Sequence, residues 1–417
     1  MSAYFDDLEV RDPAERERDL FRRLPRFLAD AVAAAPGLAR WLDGVAPETV
    51  TSREALARLP VLRKAELLDM QRQNPPFGGF VDARALAGQR IFMSPGPIWE
   101  PQGQGIDPGQ GARAFFAAGI RPGAIVHNAF AYHMTPGGFI LDAGARALGC
   151  MLFPAGTGNT EMQVEAAAAL KPTVYCGTPD FLKVMLDKAR ELQKDLSCFR
   201  HGLVSGGALF PSLRAEYAER GIEVLQCYAT AEFGVIAYEA VDADGKPLPG
   251  MIVNENLIVE IVRPGTGDPV EVGEVGEVVV TGFNPIYPLV RLGTGDLSAI
   301  LPGASACGRT GTRIKGWMGR ADQRTKVKGM FVDPKQVADI VRRHPEIARA
   351  RLVVRRDGDR DAMELQIEPA GDVAPDVGAI TATLRETTKL GGTVSAVRAG
   401  LLPNDGRVIA DERDYSA

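Results

Sequence analysis

The sequence predicts an α/β protein: a large N-terminal domain of mixed sheets and helices, then a small α+β domain beyond about residue 320 of 417. Three observations carry this. Short β-rich runs alternate with Ala-rich helical stretches from Ile91 to Tyr228. From Gly250 the pattern changes to alternating-face strands joined by Gly, Pro and Asp turns. After Arg320 a new helix, hairpin and helix follow one another.

Taken in order, residues 12–72 read as polar-faced helices broken at Pro36, Pro47 and Pro60. The segment FMSPGPIWEP (Phe92 to Pro101) is an apolar lead-in followed by a tight turn. The runs AIVHNAF, CMLFPAG, TVYCG and HGLVSGG are too short for helices. They are separated by FILDAGARALG, EMQVEAAAAL and PDFLKVMLDKAREL, which is the pattern of βαβ units around a largely parallel sheet. In such a sheet ligands sit at the carboxyl ends of the strands. LIVEIVRP, TGDPVEVGE and VGEVVVTGF read as further strands. In the last part, Asp333 is the expected N-cap of a helix starting at Pro334, and a hairpin turns at Asp357-Gly358. DVGAITATLRETTKL is the final helix.

Composition excludes several functions. A net charge of −5 leaves no electrostatic footprint for nucleic acid, and no apolar run is long enough to span a membrane. The charged N-terminus lacks the apolar region of a signal peptide, so a cytoplasmic protein is expected. The five cysteines form no CxxC pair and the four histidines no HExxH pair, which argues against zinc and for cysteines buried in a core.

Several motifs, in order along nearly the whole chain, resemble the phenylacetate–CoA ligase branch of the adenylate-forming superfamily. YPLVRLGTGDL (Tyr287 to Leu297) is similar to its YPLIRYRTGDL, and GRADQRTKVKGMFVDPKQV (Gly319 to Val337) to its GR-x-DD-xx-KVRG segment. LPVLRKAEL (Leu59 to Leu67), GNTE (Gly158 to Glu161), GTP (Gly177 to Pro179) and CGRT (Cys307 to Thr310) also fall at family-like places. The resemblance implies an AMP-forming acid–CoA ligase that joins an aromatic carboxylic acid to coenzyme A through an acyl-adenylate, using ATP and Mg²⁺. The implied partners are these small molecules, with neither nucleic acid nor membrane, and a homodimer is compatible with it. It also implies a domain break at residues 320–321 and a mobile C-terminal domain hinged near Asp322–Gln323.

Carried over residue by residue, the resemblance assigns nucleotide contacts to Ser94 and Gly96, to Ser205, Gly206 and Gly207, to Tyr228, Ala229 and Thr230, and to Asp296 and Arg320. Tyr228 would stack on adenine, Asp296 would accept the ribose hydroxyls, and the planar fork of Arg320 suits oxygen anions. Glu232 would hold Mg²⁺ through hard oxygens. Phe130, Tyr132, His133 and Gly137 would line the acyl pocket, and Lys328 and Gly329 the thioester-forming face.

Departures cluster on ATP handling. The family's phosphate loop, SSGTTGKP, becomes a stretch that keeps Ser94 and Gly96 but has Pro97, Ile98, Trp99 and Glu100 where Thr and Lys are expected. SGGALF (Ser205 to Phe210) lacks the Glu of the family's GAEP loop, and YATAEFG lacks a hydroxyl at Ala231. Arg407 stands where the C-terminal Lys is expected, and Gln323 where an acidic hinge residue is usual. Arg keeps the charge without the compact ammonium. Two readings follow: a ligase with a divergent phosphate loop, or a diverged member with impaired adenylation that acts on preformed acyl-adenylate or acyl-CoA, passing the acyl group to an amine or other acceptor, or that is a non-catalytic binding protein.

Overall fold

The computed structural model describes residues 3–94, 97–207, 209–321, 323, 325–327, 330–357, 360–371 and 374–413. The chain divides into two compact units. The first comprises Met1–Val259, Val280–Leu292 and Leu301–Trp317; the second comprises Glu260–Val279, Gly293–Ile300 and Met318–Ala417.

In the first unit the predicted βαβ pattern forms a parallel sheet. Its strands lie in the order Met151–Pro154, Ile125–Asn128, Val174–Gly177, His201–Val204 and Glu223–Thr230. Gly234–Tyr238 and Met251–Val253 then extend it antiparallel. Successive side chains alternate between two cores. Cys176, Leu203 and Leu225 face Phe115 and Leu141 on one side. Tyr175, Val204 and Val224 face Leu182 and Phe199 on the other. A strand covered on both faces reads as a continuous apolar run, which is why these segments carry so little polar alternation.

The prolines of the N-terminal region initiate helices as well as ending them. Pro13–Ala34 begins on an Asp12 cap, and Pro36–Trp41 carries its Pro at the first helical position. Cys150, Cys176 and Cys227 are buried as expected, whereas Cys198 and Cys307 are only half-buried; all five are free thiols.

The second unit is α+β. Ile347–Asp357 and Arg360–Pro369 form the expected hairpin, flanked in parallel by Ile409–Asp411 and Thr393–Ala396. Gly358, part of the expected turn, lies outside the described residues. The helices Pro334–Arg343 and Val377–Thr388 contribute Val337, Ile340, Ile380 and Leu384 to a core with Leu352 and Leu365. Asp333 caps the first of these helices in a capping box with Gln336. TGDPVEVGE does not form the expected strand: only an isolated Val262–Pro269 bridge occurs there, since Pro269 has no N–H to donate to a ladder.

Candidate active site

Four stretches singled out in the sequence lie at the carboxyl ends of adjacent parallel strands in the first unit. They follow Asn128, Gly177, Val204 and Thr230. The loop after Asn128 is shaped by that residue. Its side-chain amide donates to Tyr132 Oη at 2.7 Å and to the Gly138 carbonyl at 3.0 Å, and its Oδ1 accepts from Phe130 N at 3.1 Å. Tyr132 in turn donates to Asp142 at 3.2 Å, and burial, with the nearby Asp142 charge, pushes its phenol above the usual range. Phe139 stacks edge-on against Tyr132 and tilted against Phe92, giving an aromatic wall.

Phe130 joins this loop to the next. A Cβ built on Gly206 would meet its ring at 3.7 Å, and one on Gly137 would meet it at 3.8 Å. Gly206 has φ +70°, a conformation that favours glycine. Ser205 is held by donation to the Cys227 carbonyl at 2.8 Å, and the Gly207 carbonyl accepts from Gln226. His133, expected in the acyl pocket, is exposed.

At the end of the central strand a register shift falls between Tyr228 and Ala229. Such bulges bend a strand and re-aim its side chains. Tyr228 is buried, and Glu232 sits in the turn between this strand and the next. That turn is closed against Gly109: Val235 N donates to the Gly109 carbonyl at 2.8 Å, and a Cβ on Gly234 would fall 2.3 Å from the same oxygen.

The altered phosphate loop is a two-stranded hairpin, Ile91–Ser94 with Ile98–Pro101. Pro95 and Gly96, at its turn, lie outside the described residues. Gln71 clamps the second strand by exchanging hydrogen bonds with the Trp99 backbone at 2.8 and 2.9 Å. The two-residue period then turns Trp99 outward and Glu100 inward, on the same face as Phe92 and Ser94.

Glu100 therefore faces the interior. It is 1% exposed and accepts from Ser94 Oγ at 3.2 Å. Burial, then the charge of Glu232, pushes its carboxyl well above the ordinary range, while Lys64 and the Ser94 hydrogen bond pull it back. Glu232 itself lies 2.7 Å from Lys64 Nζ with a fully buried side chain. The ion pair is close but poorly aligned. Among the described residues neither Glu232 oxygen takes a hydrogen bond, and neither do Glu100 Oε2 or Thr230 Oγ1.

Lys64 lies in the motif LPVLRKAEL and Tyr287 opens YPLVRLGTGDL. Arg291, wholly buried at φ +48°, donates to the Ala57 carbonyl at 2.8 Å and to the Leu59 carbonyl, and its own carbonyl accepts from Leu62 N. This fixes the segment that presents Lys64. Tyr287 Oη accepts from Gln71 at 3.4 Å, near the Glu100 and Glu232 carboxyls. Phe92, Phe139, Ile140, Glu232 and Phe233 also line a narrow cavity of about 40 Å³.

In the second unit Asp296 accepts from Arg320 at 2.8 Å across an isolated bridge. Arg320 and Arg407 line one cavity of about 390 Å³, together with Gln323 and Thr325. Gln323 donates to the Gly406 carbonyl at 2.7 Å and accepts from Ile409 N at 2.8 Å, so it ties down the segment that carries Arg407. Asp322, Lys328 and Gly329 lie outside the described residues.

The chain matches the AMP-binding enzyme family over residues 126–285. It is 30% identical over 384 residues to the phenylacetate–coenzyme A ligase of Thermus thermophilus, covering 88% of this chain and 84% of that protein. The chain belongs to the phenylacetate–CoA ligase family. It is thus an AMP-forming acid–CoA ligase by class, and ATP, a carboxylic acid and CoA are the substrates of that class. The Escherichia coli phenylacetate–coenzyme A ligase is 28% identical over 380 residues, covering 87% of this chain and 84% of its own. A solved 2-hydroxyisobutyryl-CoA ligase superposes with a TM-score of 0.72 at 23% identity, over 99% of this chain and 93% of that one, which supports the adenylate-forming fold. No helix among the described residues is long and apolar enough to cross a membrane.

Proposed function

We propose that this ligase activates an aromatic, arylacetate- or benzoate-like acid as an acyl-adenylate and passes the acyl group to the thiol of CoA. The observation that supports the aromatic assignment is the wall that Phe139 makes with Phe92 and Tyr132. An aromatic wall suits a flat apolar ring. The relatives named as phenylacetate–coenzyme A ligases support the same class.

Each residue has a role set by its chemistry. Tyr228, with the backbone of Ser205, Gly206 and Gly207, takes adenine, and Ala229 N–H and Thr230 take the α-phosphate. Asp296 takes the ribose hydroxyls, with Arg320 as its charged neighbour. Arg407 places positive charge on the reacting carboxylate during adenylation, where electrostatic stabilisation does most of the work. Lys328 and Gly329 belong to thioester formation. Glu232 fits a divalent cation, because its two oxygens are hard, buried and, among the described residues, without hydrogen bonds, with only the Lys64 ammonium beside Oε1. When bound, Mg²⁺ would neutralise phosphate charge there.

A second reading is favoured by one contact: the Ser94 hydroxyl, left over from the phosphate loop, is already engaged by Glu100. On that reading the protein consumes preformed acyl-adenylate or acyl-CoA. ATP–pyrophosphate exchange across a panel of aryl acids separates the two. Acid-dependent exchange supports the ligase; no exchange, with supplied acyl-adenylate still consumed, supports the alternative.

A further inference from the structure

Arg407 stands on a turn that is held on both sides of it. Its own N–H donates to Asp405 Oδ1 at 3.0 Å, and Arg351 anchors that carboxylate at 2.7 Å. Gln323 holds the flanks: its Nε2 donates to the Gly406 carbonyl at 2.7 Å, and its Oε1 accepts from Ile409 N at 2.8 Å. The turn is tight, with Gly406 at φ +70° in the left-handed region that favours glycine. The Arg407 side chain is exposed, and among the described residues no hydrogen bond or ion pair engages its guanidinium. The backbone is fixed and the cation is left free. An amide can grip both flanks because it donates and accepts at once. A carboxylate at 323 would still accept from Ile409 N, but it would set an oxygen lone pair against the Gly406 carbonyl.

We propose that Gln323 is a positioning residue for Arg407, fixing the turn from which the guanidinium reaches the reacting carboxylate during adenylation. The proposal rests on the reading of Arg407 as the cation of that step. Its physical basis is preorganisation. A charge stabilises a transition state best when it is already in place, and a displacement of about 1 Å can cost about a hundredfold in rate. The role is confined to one half-reaction, since thioester formation makes no use of Arg407 on that reading. The departures at 323 and 407 then form one arrangement, an amide clamp and the cation it carries.

The test sets ATP–pyrophosphate exchange by the full chain beside thioester formation from supplied acyl-adenylate. Wild type, Gln323→Glu, Gln323→Met, Arg407→Ala and the double variant of Gln323→Glu with Arg407→Ala are compared, with melting curves showing whether each is folded. Gln323→Glu removes only the donor to Gly406, and Gln323→Met removes both contacts at similar length. Each is expected to lower kcat for exchange by about tenfold or more, with KM for ATP and acid little changed and thioester formation spared. On top of Arg407→Ala, Gln323→Glu is expected to add no further loss, because residues that act through one another are not additive. Full exchange in both Gln323 variants, with exchange lost in Arg407→Ala, overturns the role of Gln323 and leaves the reading of Arg407 intact. Unfolding of both Gln323 variants, an equal loss in both half-reactions, or the same loss with and without Arg407 overturns it as well and makes Gln323 a scaffold residue. Exchange unchanged in Arg407→Ala, or absent from wild type, overturns both.

Discussion

Replacing Glu100 with Gln gives a stability change whose sign and pH dependence follow from the buried cluster. In the folded protein the Glu100 carboxyl is raised by burial and by Glu232, against the opposing pull of Lys64 and Ser94, while Tyr287 packs nearby without a charge of its own to offer. In the unfolded chain it titrates as an ordinary glutamate. Between the unfolded and the folded pKa the native state holds a proton that the unfolded state has lost. Wild-type stability therefore falls as pH rises through that window, by at most about 1.4 kcal/mol per pH unit from this group. Gln is neutral at every pH, accepts the Ser94 hydroxyl and fills the same volume. Near the ordinary glutamate pKa of about 4.3 the two proteins should be equally stable, and above it Glu100→Gln should gain steadily on wild type. Urea denaturation in chelator from about pH 5 to about pH 8 measures the difference. Parallel stability curves, or a variant that loses ground as pH rises, would refute the account of Glu100 as a buried, proton-holding carboxyl.

Further outcomes follow from other contacts. Asp296→Ala should weaken AMP binding by about 1.5–3 kcal/mol, the worth of a charge-assisted hydrogen bond, as read by calorimetry; unchanged affinity would remove Asp296 from the ribose. Gly234→Ala should cost more than about 1 kcal/mol of stability, because the new Cβ meets the Gly109 carbonyl at 2.3 Å in a residue at φ +70°; a variant that melts with wild type would show that the turn gives way freely. Arg407→Ala should depress ATP–pyrophosphate exchange by orders of magnitude while thioester formation from supplied acyl-adenylate survives, and equal exchange in both proteins would remove Arg407 from adenylation.

The scaffold was legible because its signals are local. Strand length, helix periodicity and the Asp333 cap are written within a few residues each, and the family motifs follow in order. The candidate loops were legible for a topological reason, since ligands collect where parallel strands end. What escaped was the partnering of charges distant in sequence. The burial of Glu100 is not written locally, because nothing near it in sequence shows that Gln71 clamps the Trp99 backbone and turns its neighbour inward. Lys64 stood within a recognised motif, yet its partner Glu232 is far along the chain. That spacing leaves no periodic signal, and only the motif could have marked it. His133, expected in the acyl pocket from its aromatic neighbourhood, lies exposed.

The most direct test of the proposed function is product analysis with purified protein, ATP, Mg²⁺ and CoA, offering phenylacetate, benzoate and short aliphatic acids separately, by mass spectrometry. The account predicts AMP and the matching aryl-CoA thioester in equal amounts, with the aliphatic acids far behind. No thioester from any aryl acid, or aliphatic acids turned over as well as aryl acids, would contradict it.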